Sequence, residues 1–317
     1  MLTTIDDIEA AARRIGDRIV RTPLLPCLWA DADRPLWLKP EQLQPIGAFK
    51  IRGAANAIGK LPEDVRTRGV VAYSSGNHAQ AVAYVARLYG VRATIVVTTN
   101  TPLVKVEATR RHGAEVLIVP PEDRESAADE VVARNGGTLI PPFDHPDVIA
   151  GQGTIGLEIA ADLPDVEVVL VPVSGAGLIS GVAAAIRARA PHARVVGVEP
   201  ELAGDTAAAF RTGQHPNWST GDRARTIADG LRSQPSELTF AHVRELVDDM
   251  VTVTEDQIRD AIAVLATKSQ VVAEPSGAVT TAAYLNATLP KGRTVAVLSG
   301  GNIDPALLAE ILTTRTG

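Results

Sequence analysis

The sequence predicts a two-domain α/β protein, each domain an open, twisted, mostly parallel sheet with helices on both faces. Three observations predict it. Short apolar runs alternate with amphipathic stretches along most of the chain, as in strands buried on both faces and joined by helical crossovers. The alternation falls into two blocks, divided by the Pro- and Gly-rich segment NGGTLIPPFDHPDVIAG, which returns the chain to a different sheet. The length of 317 residues suits about two domains. A small domain at 69–144 is therefore expected, inserted between the parts, 1–68 and 145–317, of a larger one.

In the first block GVVAYSS (69–75) reads as a strand, HAQAVAYVARLYG (78–90) as a helix stopped by Gly90, and VRATIVVT (91–98) as the next strand. A helix over 102–112 ends at Gly113, AEVLIVP (114–120) is a strand, and a helix covers 125–134. The second block opens with a helix over 151–162. The strand VEVVLVPV (166–173), a helix over 177–189 and the strand ARVVGVEP (193–200) follow. From Gly204 to Gly230 turn residues dominate, which predicts a long irregular connection of functional or oligomeric use. Helices over 255–268 and 276–288, the strand RTVAVLSG (293–300) and a helix over 304–313 close the chain, with no internal repeat.

Composition narrows the function classes. Residues are 45% hydrophobic and 21% charged, an ordinary globular balance. The net charge of -6, with no dense run of Lys and Arg, argues against nucleic acid, and 3% aromatics leave few stacking platforms. No apolar run reaches the ~18 residues that span a bilayer, so no membrane association is expected. A single cysteine, Cys27, excludes an intrachain disulfide, and the N-terminal MLTTIDDIEAAARRIG lacks the apolar core of a signal peptide. A cytoplasmic location is the resulting expectation.

Four motifs carry chemistry. In GAFKIRGA (47–54) an aromatic residue precedes Lys50, and small residues surround it. A lysine so placed can lose water and drop toward the neutral amine that forms Schiff bases, although Lys50 and Arg52 equally fit the opening of a surface helix. VVLVPVSGAGLISG (168–181) puts a glycine turn between a buried strand and a helix, a cradle of backbone N–H groups for a phosphate. The same segment partly fits a dinucleotide fingerprint, with Gly175 and Gly177 in place, Ser180 at the third position, Gly181 one residue late, and Glu199 where a ribose-binding acid would sit. SSGNHAQ (74–80) and LSGGN (298–302) are two further polar turns after apolar strands. SSGNHAQ also fits a simple helix cap. Three such turns at strand carboxyl ends mark the usual ligand site of open α/β sheets.

GAFKIRGA, SSGNHAQA, PVSGAGLISG, AEPSGA and LSGGN occur in the order seen in fold-type II pyridoxal-phosphate enzymes. With AGQGTIGLEI (150–159) and IADGL (227–231), the chain resembles the threonine/serine dehydratase and serine racemase branch from about residue 3 to 311. The resemblance implies a tryptophan synthase β-like architecture with a small mobile domain, a homodimer, and water elimination from a β-hydroxy amino acid to give a 2-oxo acid and ammonia. Serine racemisation and 3-hydroxyaspartate dehydration are its alternatives. Position by position, it implies that Lys50 holds pyridoxal 5'-phosphate, that Phe49 packs on the ring, and that Asn77 donates to its phenolate oxygen. It places the phosphate on Ser174, Gly175, Ala176, Gly177 and Leu178, and puts Glu274 and Ser299 around the ring, Ser299 at the pyridine nitrogen. A neutral hydroxyl there makes the ring a weaker electron sink and favours β-elimination over transamination.

The substrate would meet Ser74, Ser75, Asn77, His78 and Arg124, with Ser75 as the group that returns a proton in racemases. Arg124 also fits a solvated arginine at a helix start. Two departures from the family pattern stand out: Ala48 replaces a hydroxyl residue, and Ala176 replaces a glycine, which implies ordinary φ there. EPELAGD (199–205) offers Glu199, the Ala203 carbonyl and Asp205, hard oxygen ligands suited to Mg²⁺ or Ca²⁺ and similar to the family's divalent-cation site, or else a solvated acidic loop.

Overall fold

The computed structural model describes residues 1–315. Their strands, in chain order, are β1 (Leu25–Pro26), β2 (Leu36–Pro40), β3 (Val70–Tyr73), β4 (Ala93–Thr98) and β5 (Glu115–Val119). The later ones are β6 (Thr138–Leu139), β7 (Val168–Pro172), β8 (Arg194–Pro200), β9 (Asp249–Val253) and β10 (Thr294–Leu298). Among the described residues they form a six-stranded sheet, β1-β2-β10-β7-β8-β9, and a four-stranded sheet, β5-β4-β3-β6. Apart from the antiparallel β1–β2 pair, every pairing is parallel.

The apolar runs of β3, β4, β7, β8 and β10 are buried on both faces, as crossover helices require, whereas β5 at its sheet edge leaves Ile118 exposed. Val168 and Leu170 of β7 face Ala296, Leu298 and the helices Glu255–Lys268 and Pro275–Asn286. Val169, Val171 and Val173 point the other way, with Val295 and Val297, toward the helices Pro146–Asp162 and Gly177–Arg189. The small sheet packs on the helices Lys50–Lys60 and Asn77–Leu88 through Val70, Ala72, Ile95 and Val97.

Parts of the chain differ from the sequence expectation. The stretch 204–230 is not wholly irregular: it holds the helix Asp205–Thr212 and a turn of helix at Thr220–Arg223. The helix expected at 151–162 begins five residues earlier at Pro146, since proline is tolerated in a first turn and His145 caps it by accepting from the Asp147 N–H. Strand β9 and the helix Glu237–Leu246 went unread, although Ser236 and Thr239 form a reciprocal cap. Arg52 is not on a surface helix, being fully buried.

Candidate active site

Five of the motifs follow the carboxyl ends of parallel strands: GAFKIRGA after β2, SSGNHAQ after β3, VSGAG after β7, ELAGD after β8 and SGGN after β10. The GAFKIRGA and SGGN segments touch. Ala48 bridges Gly300, the Phe49 N–H donates to the Ser299 carbonyl at 3.0 Å, and the Gly301 N–H donates to the Gly47 carbonyl at 2.9 Å. Gly47 sits at φ +71°, and a Cβ there would lie 2.6 Å from Asn302 Oδ1, so a side chain is excluded twice over. Ala48 is fully buried, so its methyl belongs to the core.

Lys50 opens the helix Lys50–Lys60, and its Nζ donates to the Pro142 carbonyl at 2.8 Å. The amine lies 5.1 Å from the Phe49 ring centroid. Loss of water pulls its pKa down to about 8. His78 Nε2 donates to the carbonyl of Ile140, two residues before Pro142, at 2.8 Å. Burial, then the neighbouring Lys50 charge, pushes the His78 pKa down to about 3, so its imidazole stays neutral. The two prolines after Ile140 have no N–H, and this stretch offers the site only acceptors.

Asn77 links the turn after β3 to Glu274 and to the turn after β10. Its Nδ2 donates to Glu274 Oε1 at 2.7 Å, and its Oδ1 accepts from Asn302 Nδ2 at 2.7 Å, while the same Asn302 nitrogen reaches the Ile46 carbonyl at 2.9 Å. Burial, reinforced by Asp229, raises the Glu274 carboxyl to about 7 against the opposing Asn77 hydrogen bond. Ser299 is buried and donates from Oγ to the Ser276 carbonyl at 3.2 Å. Asn302 had no role assigned from the sequence, although it lies in the quoted LSGGN.

The helix Gly177–Arg189 starts from the anion cradle. Ala176 stands at φ +60°, ψ 5°, which corrects the expectation of ordinary φ and makes consecutive N–H groups converge as in a nest. Phe143, another residue without a sequence signal, packs behind this turn. A Cβ on Gly175 or Gly177 would run into it. Ser174 Oγ accepts from the Ser233 N–H at 2.9 Å, and Leu178 is buried in the core behind the loop.

Ser74 does not cap the following helix: its Oγ accepts from the Gly76 N–H at 3.2 Å, and the cap residue is Gly76. Ser75 is exposed. Arg124 pairs with Glu125 at 3.3 Å and stacks 5.3 Å from the ring of Tyr73, the residue before Ser74. Glu199 is fully buried and faces the helix Asp205–Thr212, accepting from the Ala207 N–H at 2.7 Å. Glu199 Oε1 and Asp205 Oδ2 are buried without partners. Burial and mutual repulsion raise Glu199 to about 8, and burial raises Asp205 to about 6 despite the nearby Arg223. Two orphaned carboxylate oxygens on one turn fit a hard cation. Among the described residues no cluster of three or more His, Cys, Asp and Glu side chains could hold a metal, so a cation here would rely on backbone carbonyls and water.

The family model for pyridoxal-phosphate dependent enzymes matches residues 15–300. The chain belongs to this family. It is 45% identical to the L-threonine ammonia-lyase of Thermotoga maritima, over 98% of this chain and 78% of that protein. It is 40% identical to the L-threo-3-hydroxyaspartate ammonia-lyase of Saccharomyces cerevisiae, over 98% and 97% of the two chains. The structure of maize serine racemase superposes with a TM-score of 0.91 at 37% identity, covering 100% of this chain and 98% of that one. Family membership removes the dinucleotide reading of 168–199. Gly181 has a packing role instead, since a Cβ there would lie 2.5 Å from the Gly153 nitrogen. In this pyridoxal-phosphate enzyme the residues present fit the cofactor: a desolvated lysine, a left-handed N–H cradle and a buried hydroxyl lie on adjoining turns. No helix among the described residues is long and apolar enough to cross a membrane.

Proposed function

We propose that this protein is a threonine/serine ammonia-lyase, removing water from a β-hydroxy amino acid and releasing ammonia and a 2-oxo acid. The observation that carries it is the contact between GAFKIRGA and SGGN. Through it, Lys50 and the neutral hydroxyl of Ser299 are held on one backbone junction by the Phe49–Ser299 hydrogen bond. Its relatives among ammonia-lyases support the same reading. Pyridoxal phosphate held at Lys50 would supply the electron sink for charge at Cα, and a hydroxyl partner at its ring nitrogen keeps that sink weak.

The chain's own residues do the rest. Ser174 to Leu178 would take the phosphate, with the orphan N–H groups of the helix start. Phe49 would pack on the ring, and Asn77 and Glu274 would border it as an already bonded pair. The free N–H groups at the start of the helix Asn77–Leu88, with Ser74, Ser75, His78 and Arg124, would take the substrate carboxylate. Lys50 Nζ, pulled down to about 8, is partly neutral near pH 7 and can accept the Cα proton. The Pro142 carbonyl fixes where that nitrogen sits. Residues 69–144 would act as a small mobile domain that excludes water. Glu199, the Ala203 carbonyl and Asp205 would hold Mg²⁺ or Ca²⁺ away from these steps. A homodimer, as the family resemblance implies, and a cytoplasmic location complete the reading.

Ser75 favours one second reading. Its exposed hydroxyl is free to return a proton to Cα, the task of a racemase. A substrate panel decides: 2-oxo acid from L-threonine or L-serine is expected, and D-serine from L-serine would favour the second reading. Lys50→Ala abolishes both products and the visible absorbance of the lysine-bound cofactor. Activity retained in Lys50→Ala would overturn the assignment.

A further inference from the structure

Arg52 and the AGQGTIGLEI segment take no part in the chemistry above, yet they meet two residues beyond Lys50. The Arg52 guanidinium is fully buried and grips Glu41 with two bonds, Nε to Oε2 at 2.7 Å and Nη2 to Oε1 at 2.8 Å. It grips Glu158 with two more, Nη1 to Oε1 at 2.6 Å and Nη2 to Oε2 at 2.9 Å, and reaches Thr154 Oγ1 at 3.0 Å. Lys39 Nζ, also fully buried, donates to Glu158 Oε2 and to the Thr22 carbonyl, both at 2.6 Å. Thr22 Oγ1 and Gln44 Nε2 donate to the Glu41 carboxylate at 2.7 and 3.1 Å. One residue on, the Gly53 N–H donates to Gln152 Oε1 at 3.2 Å. A Cβ on Gly151 would come within 2.6 Å of the Arg52 carbonyl, so the two helices touch backbone to backbone.

We propose that this platform, Arg52 with Glu41, Glu158 and Lys39 on the helix face of AGQGTIGLEI, positions Lys50 for the reaction. The proposal rests on the reading of Lys50 as the cofactor lysine. Three physical points carry it. The helix Lys50–Lys60 has no side-chain cap at Phe49, so its first turn must be fixed from outside. Residues two apart on a helix diverge by about 200°, so locking Arg52 into the core turns Lys50 toward the opposite side, where its Nζ meets the Pro142 carbonyl. Buried ion pairs are poor sources of stability relative to apolar packing but directional, and the guanidinium fork is the most directional of them. The two cations and two carboxylates also balance. They hold the helix without imposing a net charge near the lysine.

Arg52→Lys tests it, because it keeps the charge and removes the fork. With the holoenzyme folded, as judged by far-UV circular dichroism, kcat per bound cofactor is expected to fall about 10- to 100-fold. KM should stay within about threefold. The dissociation constant of pyridoxal phosphate, from titration of the apoprotein, should rise by about tenfold. A lower thermal midpoint with unchanged kcat and cofactor affinity would show a purely structural role and overturn the proposal. If Arg52→Lys does not fold, the double variant Glu41→Gln/Arg52→Met removes one cation and one carboxylate with no change of net charge, leaves Glu158 paired with Lys39, and is read the same way. Borohydride reduction of the wild-type holoenzyme, with peptide mapping, separates the two layers. Cofactor attached to another lysine sinks the reading of Lys50. Cofactor on Lys50 with unaltered Arg52 variants sinks the platform alone.

Discussion

Lys50 has its amine tuned by exclusion of water. Burial alone moves its pKa from the ordinary lysine range to about 8, and His78 beside it is kept neutral, so it adds no positive charge. The consequence is a pH dependence of cofactor capture. A lysine attacks the aldehyde as the neutral amine, so in the apoprotein the rate of pyridoxal-phosphate attachment should rise with pH to a midpoint near 8, followed as growth of visible absorbance. A midpoint above 10 would mean that Lys50 is fully hydrated. The sign for stability runs the same way: an unfolded lysine keeps its proton to about 10.4 while Lys50 releases it near 8. Between those values unfolding takes up a proton, so this contribution to stability rises with pH and is flat below about 8. The sequence signal for Lys50 was its small neighbours, while the Pro142 carbonyl that receives its amine lies far along the chain, in a stretch no local pattern ties to Lys50. Ala176 shows the limit from the other side. Its left-handed backbone costs an alanine about 1–2 kcal/mol, and the demand comes from the cradle rather than from the residue.

At the level of elements, the strands buried on both faces were legible because their side chains leave no alternative to a sheet core. The helix Gly177–Arg189 was read to its ends. Strand β9 was missed because it begins at an exposed Asp249, includes the partly buried Val251 and Thr252, and pairs only with β8 at the edge of its sheet. AGQGTIGLEI read as family resemblance without a role. In the structure its glycines are helix contacts. A Cβ on Gly156 would sit 2.8 Å from the Val182 carbonyl, and one on Gly153 would sit 2.9 Å from the Gly181 carbonyl. Gly181 returns the contact from the helix that begins at the left-handed Ala176 turn. Gly181→Ala must push the two helices apart, which overpacking costs place at about 1–3 kcal/mol. The expected outcome is a lower denaturation midpoint together with weaker pyridoxal-phosphate binding, because the cradle moves with its helix. A midpoint equal to wild type would show that the interface yields freely.

Across the whole molecule, parallel sheets present their strand ends in common, so motifs far apart in the chain arrive at one cleft. The order of motifs disclosed that cleft. It did not disclose the bonds that cross it, such as Asn77 to Glu274 at 2.7 Å and Lys105 to Asp229 at 2.7 Å. Those depend on how the halves face each other, which a one-dimensional pattern does not hold. The turn after β8 couples to the fold in another way, through stability. Glu199 Oε1 and Asp205 Oδ2 lie buried and unpartnered, and burial raises both carboxyls, so the folded state disfavours their charged forms, which a divalent cation would stabilise. Any ligand that binds only the folded chain raises its stability by mass action, about 2.7 kcal/mol at a hundredfold excess over its dissociation constant. Added Mg²⁺ or Ca²⁺ should therefore raise the thermal midpoint and EDTA should lower it. Asp205→Asn should remove that response while raising the midpoint measured near neutral pH in EDTA, because a buried carboxylate is gone. Both carboxylates are buried, which rules out a solvated acidic turn; a midpoint that rises in Asp205→Asn but does not respond to metal would show a buried acidic pair that binds no cation.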